Sequence, residues 1–264
     1  MTASQDLPVS PPHRSLPEFE TTFAVPLSCE ACIKSVSTSL HALPGISSVS
    51  ASLADQLIHI TGNAAPSAIV RAIEDTGRDA ILRGSGKAES AAVCILETHS
   101  SRVPMGEVVR GLVRMVEVVP KGGGEGEALV LADMTLKGVS EGTYNVSVRE
   151  TGDISQGPRS VGGVWDLMKG REEKAKGVFG TIQVGRNGLG SVFIDRPVRI
   201  WEMIGRSMVV SKQKAGEEDK EDPDTLVGVI ARSAGVWDND KTVCSCSGKT
   251  VWEERKEQRG KGML

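Results

Sequence analysis

Helical periodicity in this chain is confined to the residues before one Gly/Ser-rich run, Gly84-Ser85-Gly86-Lys87, and the residues after it follow another pattern. Upstream, Ile33, Val36 and Leu40, and again Ile69, Ala72 and Ile73, recur at the 3 and 4 spacing that gathers apolar side chains on one helix face. From Ala91 that spacing is gone, and short strand-type runs follow, separated by Gly-rich turns. Two patterns in series predict an α+β unit followed by an all-β unit. The 264 residues are the length of about two domains, and residues 84–90 are expected to link them as a hinge.

Within the first unit the order of signals is specific. Phe19 to Val25 reads as a strand, and after Pro26 a helix runs until Leu43-Pro44-Gly45. Ser48 to Leu53 and Leu57 to Thr61 read as two strands joined by the turn Ala54-Asp55-Gln56. A second helix opens at Asn63-Ala64-Ala65-Pro66-Ser67 and stops at Gly77, and a last strand spans Asp79 to Arg83. The order β-α-β-β-α-β predicts a four-stranded antiparallel sheet with two helices on one face, the ferredoxin-like arrangement.

In the second unit, strands are expected at Gly111 to Val119, Ala128 to Leu136, Tyr144 to Val148, Thr181 to Val184, Ser191 to Ile194 and Ser207 to Val210. Short strands at such intervals predict a sandwich or barrel. The clusters Lys121-Gly122-Gly123-Gly124 and Gly185-Arg186-Asn187-Gly188-Leu189-Gly190 lie between strands, so they read as hairpin turns and not as cofactor loops. Gly84 to Lys87 also lacks the spacing of a phosphate loop. Cys94, inside the apolar run Ala91 to Leu96, is expected to be a buried structural thiol. The acidic run Glu217 to Asp222 reads as a solvated loop.

Composition removes several function classes. The formal charge is -3 and aromatic residues make up 3%, so neither a basic groove nor a base-stacking surface for nucleic acid is expected. No apolar run approaches the roughly 20 residues of a membrane span. Residues 1–18, with four prolines, lack the apolar core of a signal peptide and read as a disordered lead-in to an intracellular protein. On that reading the sequon at Asn145 is idle.

The chemistry lies in the cysteines, of which there are five, four of them in two close pairs. Cys29 and Cys32 fall where the first strand turns into the first helix, where unpaired N–H groups and the helix dipole favour a thiolate. Two thiolates on a flexible loop suit a soft monovalent ion of low coordination, Cu(I) above others; zinc would ask for four ligands. A redox dithiol and an incidental pair are the competing readings. Cys244 and Cys246 lie in Val243-Cys244-Ser245-Cys246-Ser247-Gly248, a setting that cannot bury them. In an extended segment residues i and i+2 project to one side, so this pair can grip one Cu(I) or attack a disulfide.

At these residues family resemblances become specific. Phe19 to Arg83, with Cys29-Glu30-Ala31-Cys32, resembles the heavy-metal-associated domains of copper chaperones and copper-pumping ATPases. It departs from their M-x-C-x-x-C motif at Leu27, a position that in the family anchors the loop in the core. Gly138-Val139, Tyr144 to Asp153, Ile204 to Val210 and Leu226 to Ile230 resemble strands of copper/zinc superoxide dismutases. Where that family places copper-binding histidines, this chain has Ser147, Arg149 and Ser211, and Val227 stands where dismutases have a disulfide cysteine. Between Ser90 and Ile230 the one histidine is His99. The resemblance therefore implies a Greek-key barrel or sandwich that pairs as dismutases do but carries no dismutase metals.

Taken in order, the segments resemble the family of copper chaperones for superoxide dismutase, in its fungal form. The division that this implies is a disordered lead-in at 1–18, a heavy-metal-associated domain at 19–83, a linker at 84–90, a dismutase-like domain at 91–231 and a flexible CxC tail at 232–264. The implied function is delivery of Cu(I) to copper/zinc superoxide dismutase and promotion of its disulfide, with Cys29, Cys32, Cys244 and Cys246 as the metal and thiol-exchange residues and no enzymatic turnover. The implied partner is an immature dismutase subunit in a heterodimer, with a homodimer and a copper-donating transporter left open. The implied place is the cytoplasm, and beyond it the mitochondrial intermembrane space. Copper storage or sensing, and thiol-disulfide exchange in its own right, are the rival functions.

Overall fold

The structure is a computed structural model, and it describes residues 16–87, 89–119, 127–166, 175–233, 235 and 253. The first unit is built from β1 (Phe19–Ala24), α1 (Glu30–His41), β2 (Ile46–Ser52), β3 (Leu57–Gly62), α2 (Pro66–Glu74) and β4 (Ile81–Ser85). Its four strands lie in the order β2-β3-β1-β4 and every neighbouring pair for which a register is defined is antiparallel. That is the expected ferredoxin-like sheet. Val36 and Leu40 of α1, Ile69 and Ile73 of α2, and Phe23, Ile58 and Ile60 of the sheet close into one buried core. The 3 and 4 spacing thus marks the faces that meet the sheet.

The last strand differs from the expectation. It runs from Ile81 to Ser85, so Gly84 and Ser85, assigned by composition to a hinge, are in the sheet. Gly84 stands opposite Thr22 and Ser85 opposite Thr21. Backbone pairing with the central strand β1 outweighs the weak strand preference of Gly and Ser, because each unpaired buried N–H or C=O would cost more than the propensity does.

Eight further strands close into a barrel: β5 (Ala91–Thr98), β6 (Val109–Val118), β7 (Leu129–Lys137), β8 (Gly142–Val148), β9 (Val178–Val184), β10 (Leu189–Arg196), β11 (Ser207–Ser211) and β12 (Leu226–Arg232). Their order around the barrel is β10-β7-β6-β5-β12-β11-β8-β9. Sequence neighbours β5 and β6, β6 and β7, β9 and β10, and β11 and β12 pair side by side, β8 and β9 also pair but through the long connection 149–177, and β7 to β8 and β10 to β11 cross the ends, giving Greek-key connectivity. Closure leaves no free sheet edge. The interior is filled by Leu96, Met115, Tyr144, Phe179, Met208 and Ile230 among others. A short helix, α3 (Ile200–Met203), precedes β11.

The Gly185 to Gly190 cluster is a hairpin, with the Gly188 N–H donating to the Gly185 carbonyl and Gly188 at φ 71. Lys121 to Gly124 lie outside the described residues. Cys94 is fully buried, and burial pushes its thiol up to about 12, as expected of a structural cysteine. Among the described residues no helix is long and apolar enough to cross a membrane.

Candidate metal centre

Cys29 is the N-cap of α1, in extended conformation at φ -164 and ψ 168, and its side chain makes no capping bond. Its carbonyl accepts the N–H groups of Cys32 and Ile33, at 3.0 and 3.4 Å. This single turn of backbone brings the two sulfurs to 3.4 Å of each other. Cys29 is exposed and Cys32 half-buried, so both can be reached from outside. The first N–H groups of a helix carry partial positive charge, which favours an anion at this end.

The loop before the pair is pinned from below. Leu27, standing where methionine was expected, is 3% exposed and packs into the core with Val25 and Phe23. Gln56 holds the same loop from the turn between β2 and β3: its carbonyl accepts the Val25 N–H and its side chain donates to the Leu27 carbonyl. Leucine therefore keeps the anchoring role through packing alone.

The electrostatics single out Cys32. Its thiol is lowered from 9.0 to about 6, first by the Ser28 hydroxyl at 3.3 Å, then by a hydrogen bond from the Arg78 guanidinium, with Cys29 contributing less. Cys32 is thus largely thiolate at neutral pH. The sequence reading gives Ser28, Gln56 and Arg78 no role at the thiol site. Ser28 adjoins the motif in sequence, whereas Gln56, in the turn between β2 and β3, and Arg78, after α2, reach the site only through the fold.

Cys244 and Cys246 lie outside the described residues. Among the described residues no group of three or more His, Cys, Asp or Glu side chains is arranged to hold a metal. The thiol pair is a two-ligand site, open to a third ligand from a partner, which suits a soft ion held for transfer.

The barrel has its own telling region. Ser147, Arg149 and Ser211, expected at the copper positions of the dismutase resemblance, do converge on one cavity of about 280 Å³. The Arg149 side chain is 2% exposed; its Nε donates to the Ser147 hydroxyl at 2.9 Å and Nη2 pairs with the Glu218 carboxylate. Ser211 is hydrogen-bonded to Thr225 at 3.0 Å. A guanidinium and two hydroxyls do not form a copper or zinc site, and the described residues do not fit the metals of that fold. Glu218 also corrects the reading of Glu217 to Asp222 as wholly solvated, because its side chain is 3% exposed and paired inward. Val227, at the expected cysteine position, packs with Val161 and Val209 in a small apolar cluster.

The comparisons with known proteins agree with this geometry. Residues 22–79 match the model of the heavy-metal-associated domain. The chain is 42% identical over 256 residues to a superoxide dismutase 1 copper chaperone of Debaryomyces hansenii, covering 93% of this chain and 98% of the relative. It is 40% identical to the superoxide dismutase 1 copper chaperone of Saccharomyces cerevisiae, covering 90% of this chain and 95% of that protein. A copper chaperone for superoxide dismutase from Sus scrofa is 31% identical, with 88% of each chain covered. With relatives aligned over both the thiol-bearing sheet and the barrel, the chain belongs to the family of copper chaperones for superoxide dismutase.

Proposed function

We propose that this protein is a metallochaperone that carries Cu(I) on Cys29 and Cys32 and delivers it to copper/zinc superoxide dismutase. The observation that carries the reading is the exposed thiol pair at 3.4 Å, one member of it lowered to about 6, with no third protein ligand among the described residues. Such a site binds a soft cation through thiolates and leaves room for an incoming sulfur to displace them one at a time. Copper here is cargo, so the protein performs no turnover on a small molecule.

Division of labour follows the segments. Residues 19–85 load the metal, 91–232 dock the client, 86–90 join the two, and the segment 233–264 supplies Cys244 and Cys246 for the final transfer and for thiol exchange that closes the client's disulfide. Docking is assigned to the barrel face that bears Trp201 (66% exposed), Val229 and the exposed Gly205. Gly152 lies so close to the Gly205 carbonyl that a Cβ there would stand 2.2 Å from the oxygen, so the two backbone segments meet directly beneath this face. A two-fold related subunit of like shape could cover it, either a dismutase or a second copy of this chain. The cytoplasm is the compartment proposed, since thiols in exposed pairs persist in reducing surroundings.

Anaerobic Cu(I) titration of the chain and of its Cys29→Ser/Cys32→Ser variant tests the loading step. The reading expects the variant to lose the site on the first domain while Cys244 and Cys246 retain theirs. Unchanged stoichiometry in the variant would overturn it.

A further inference from the structure

Asp133 lies in the middle of β7, between Arg114 of β6 and Phe193 of β10, on the outer wall of the barrel. A carboxylate in that position belongs in water, yet it is 1% exposed. What covers it is the start of α2. The Ser67 N–H donates to Oδ2 and the Ser67 hydroxyl donates to Oδ1, both at 2.7 Å. Arg114 stands 3.7 Å away on the barrel side.

The local chemistry of α2 explains why the contact is specific. Its N-cap is Ala65, which has no side-chain oxygen to offer, and Pro66 follows at the first helical position. The Ser67 N–H is therefore one of the orphan donors that a helix start must satisfy. The helix takes its cap from the other unit, across 66 residues of sequence. Two further contacts hold the same arrangement. Phe19, at the start of β1, packs with Val116, Val118, Leu129 and Leu131 on the barrel wall. The connection is also short and bonded down: the Gly86 N–H donates to the Glu20 carbonyl and the Glu117 N–H to the Ser90 carbonyl.

We propose that Asp133 is an interdomain latch that caps α2 from the barrel, so that Cys29 and Cys32 are carried at a fixed position relative to the barrel and not on a swinging tether. Interfaces between domains of one chain allow relative motion by default. Here a buried carboxylate with both oxygens engaged by Ser67 defines one orientation, and rotation of the first domain would strip both Ser67 donors from it, leaving it Arg114 on the barrel side and the Ser67 N–H without its cap. A client docked on the barrel therefore meets the thiol pair at a set distance, until the latch is opened.

Backbone ¹⁵N relaxation on the full chain tests this. One shared rotational correlation time is expected for the strands β1 to β4 and the barrel strands. In Asp133→Ala the first domain should tumble separately, its correlation time falling by about 1.5-fold or more relative to the barrel. Ser67→Ala, which removes one donor from the opposite side and leaves the barrel sequence untouched, should move it in the same direction by less. Two distinct times in the unmodified chain would overturn the proposal, as would one shared time in both variants. No copper enters the measurement, so its outcome is separate from that of the delivery reading.

Discussion

Removing the buried cation at Arg149 is expected to destabilise the barrel strongly, and removing its partner as well is expected to undo most of the damage. Both side chains are almost fully enclosed, at 2% and 3% exposure. In Arg149→Met the Glu218 carboxylate keeps its bond from the Gly216 N–H at 2.7 Å but loses its counter-charge. Leaving one member of a buried ion pair alone costs about 3–5 kcal/mol. For a barrel of this size that corresponds to a fall of about 10–15 °C in Tm. In Arg149→Met/Glu218→Met no charge is stranded. The remaining loss is the bonds to Ser147 and Gly216, about 1 kcal/mol each, offset by apolar packing. The double variant should therefore stand within about 2 kcal/mol of the unmodified chain. Thermal and urea unfolding of the two single variants and the double variant closes a mutant cycle that isolates the pair. A loss below about 1 kcal/mol in Arg149→Met would mean that water reaches the carboxylate. A double variant as weak as the single would show that the pair is not what the cavity is built around.

Three further outcomes follow from the thiol site. Alkylation of Cys32 should follow a titration near pH 6, leaving roughly nine in ten thiols ionised at pH 7, and Arg78→Ala or Ser28→Ala should move that midpoint upward; a midpoint unmoved by both changes would remove the assigned cause. Because the folded value lies below the ordinary one of 9.0, the thiolate's contribution to stability is present above pH 9 and is lost as pH falls through about 6, so stability should decline across that window more in the unmodified chain than in Cys32→Ser. Leu27→Ala should cost about 2–5 kcal/mol in the first domain, whereas Leu27→Met should cost below about 1.5, read by denaturant unfolding.

How much of this could be read from the chain depends on where each partner lies. The first domain was legible because its helices declare their faces locally, through Ile33, Val36 and Leu40 and through Ile69 and Ile73. Its last strand was placed about two residues early, since Gly84 and Ser85 are fixed by Thr22 and Thr21 and not by their own preferences. Barrel strands were harder. In β11 all of Ser207 to Ser211 are buried, so no alternation exists to mark inside from outside. The thiol pair was visible because its members are three apart, while Arg78, which tunes it, arrives through the fold. Glu218 illustrates the opposite failure: a run of acidic residues looks solvated until a cation 69 residues away is brought beside one of them. Asp133, in the apolar run of β7, gave no sign of its partner at Ser67.

The most direct test of the central claim is anaerobic mixing of the Cu(I)-loaded chain with metal-free, zinc-supplied dismutase in the presence of a copper chelator that captures free ion, followed by an assay of superoxide consumption. The account expects the dismutase to gain activity with the unmodified chain and to gain little with Cys244→Ser/Cys246→Ser, although both proteins load copper at Cys29 and Cys32. Full activation by that variant would contradict the assigned transfer step, and no activation by the unmodified chain would contradict the account as a whole.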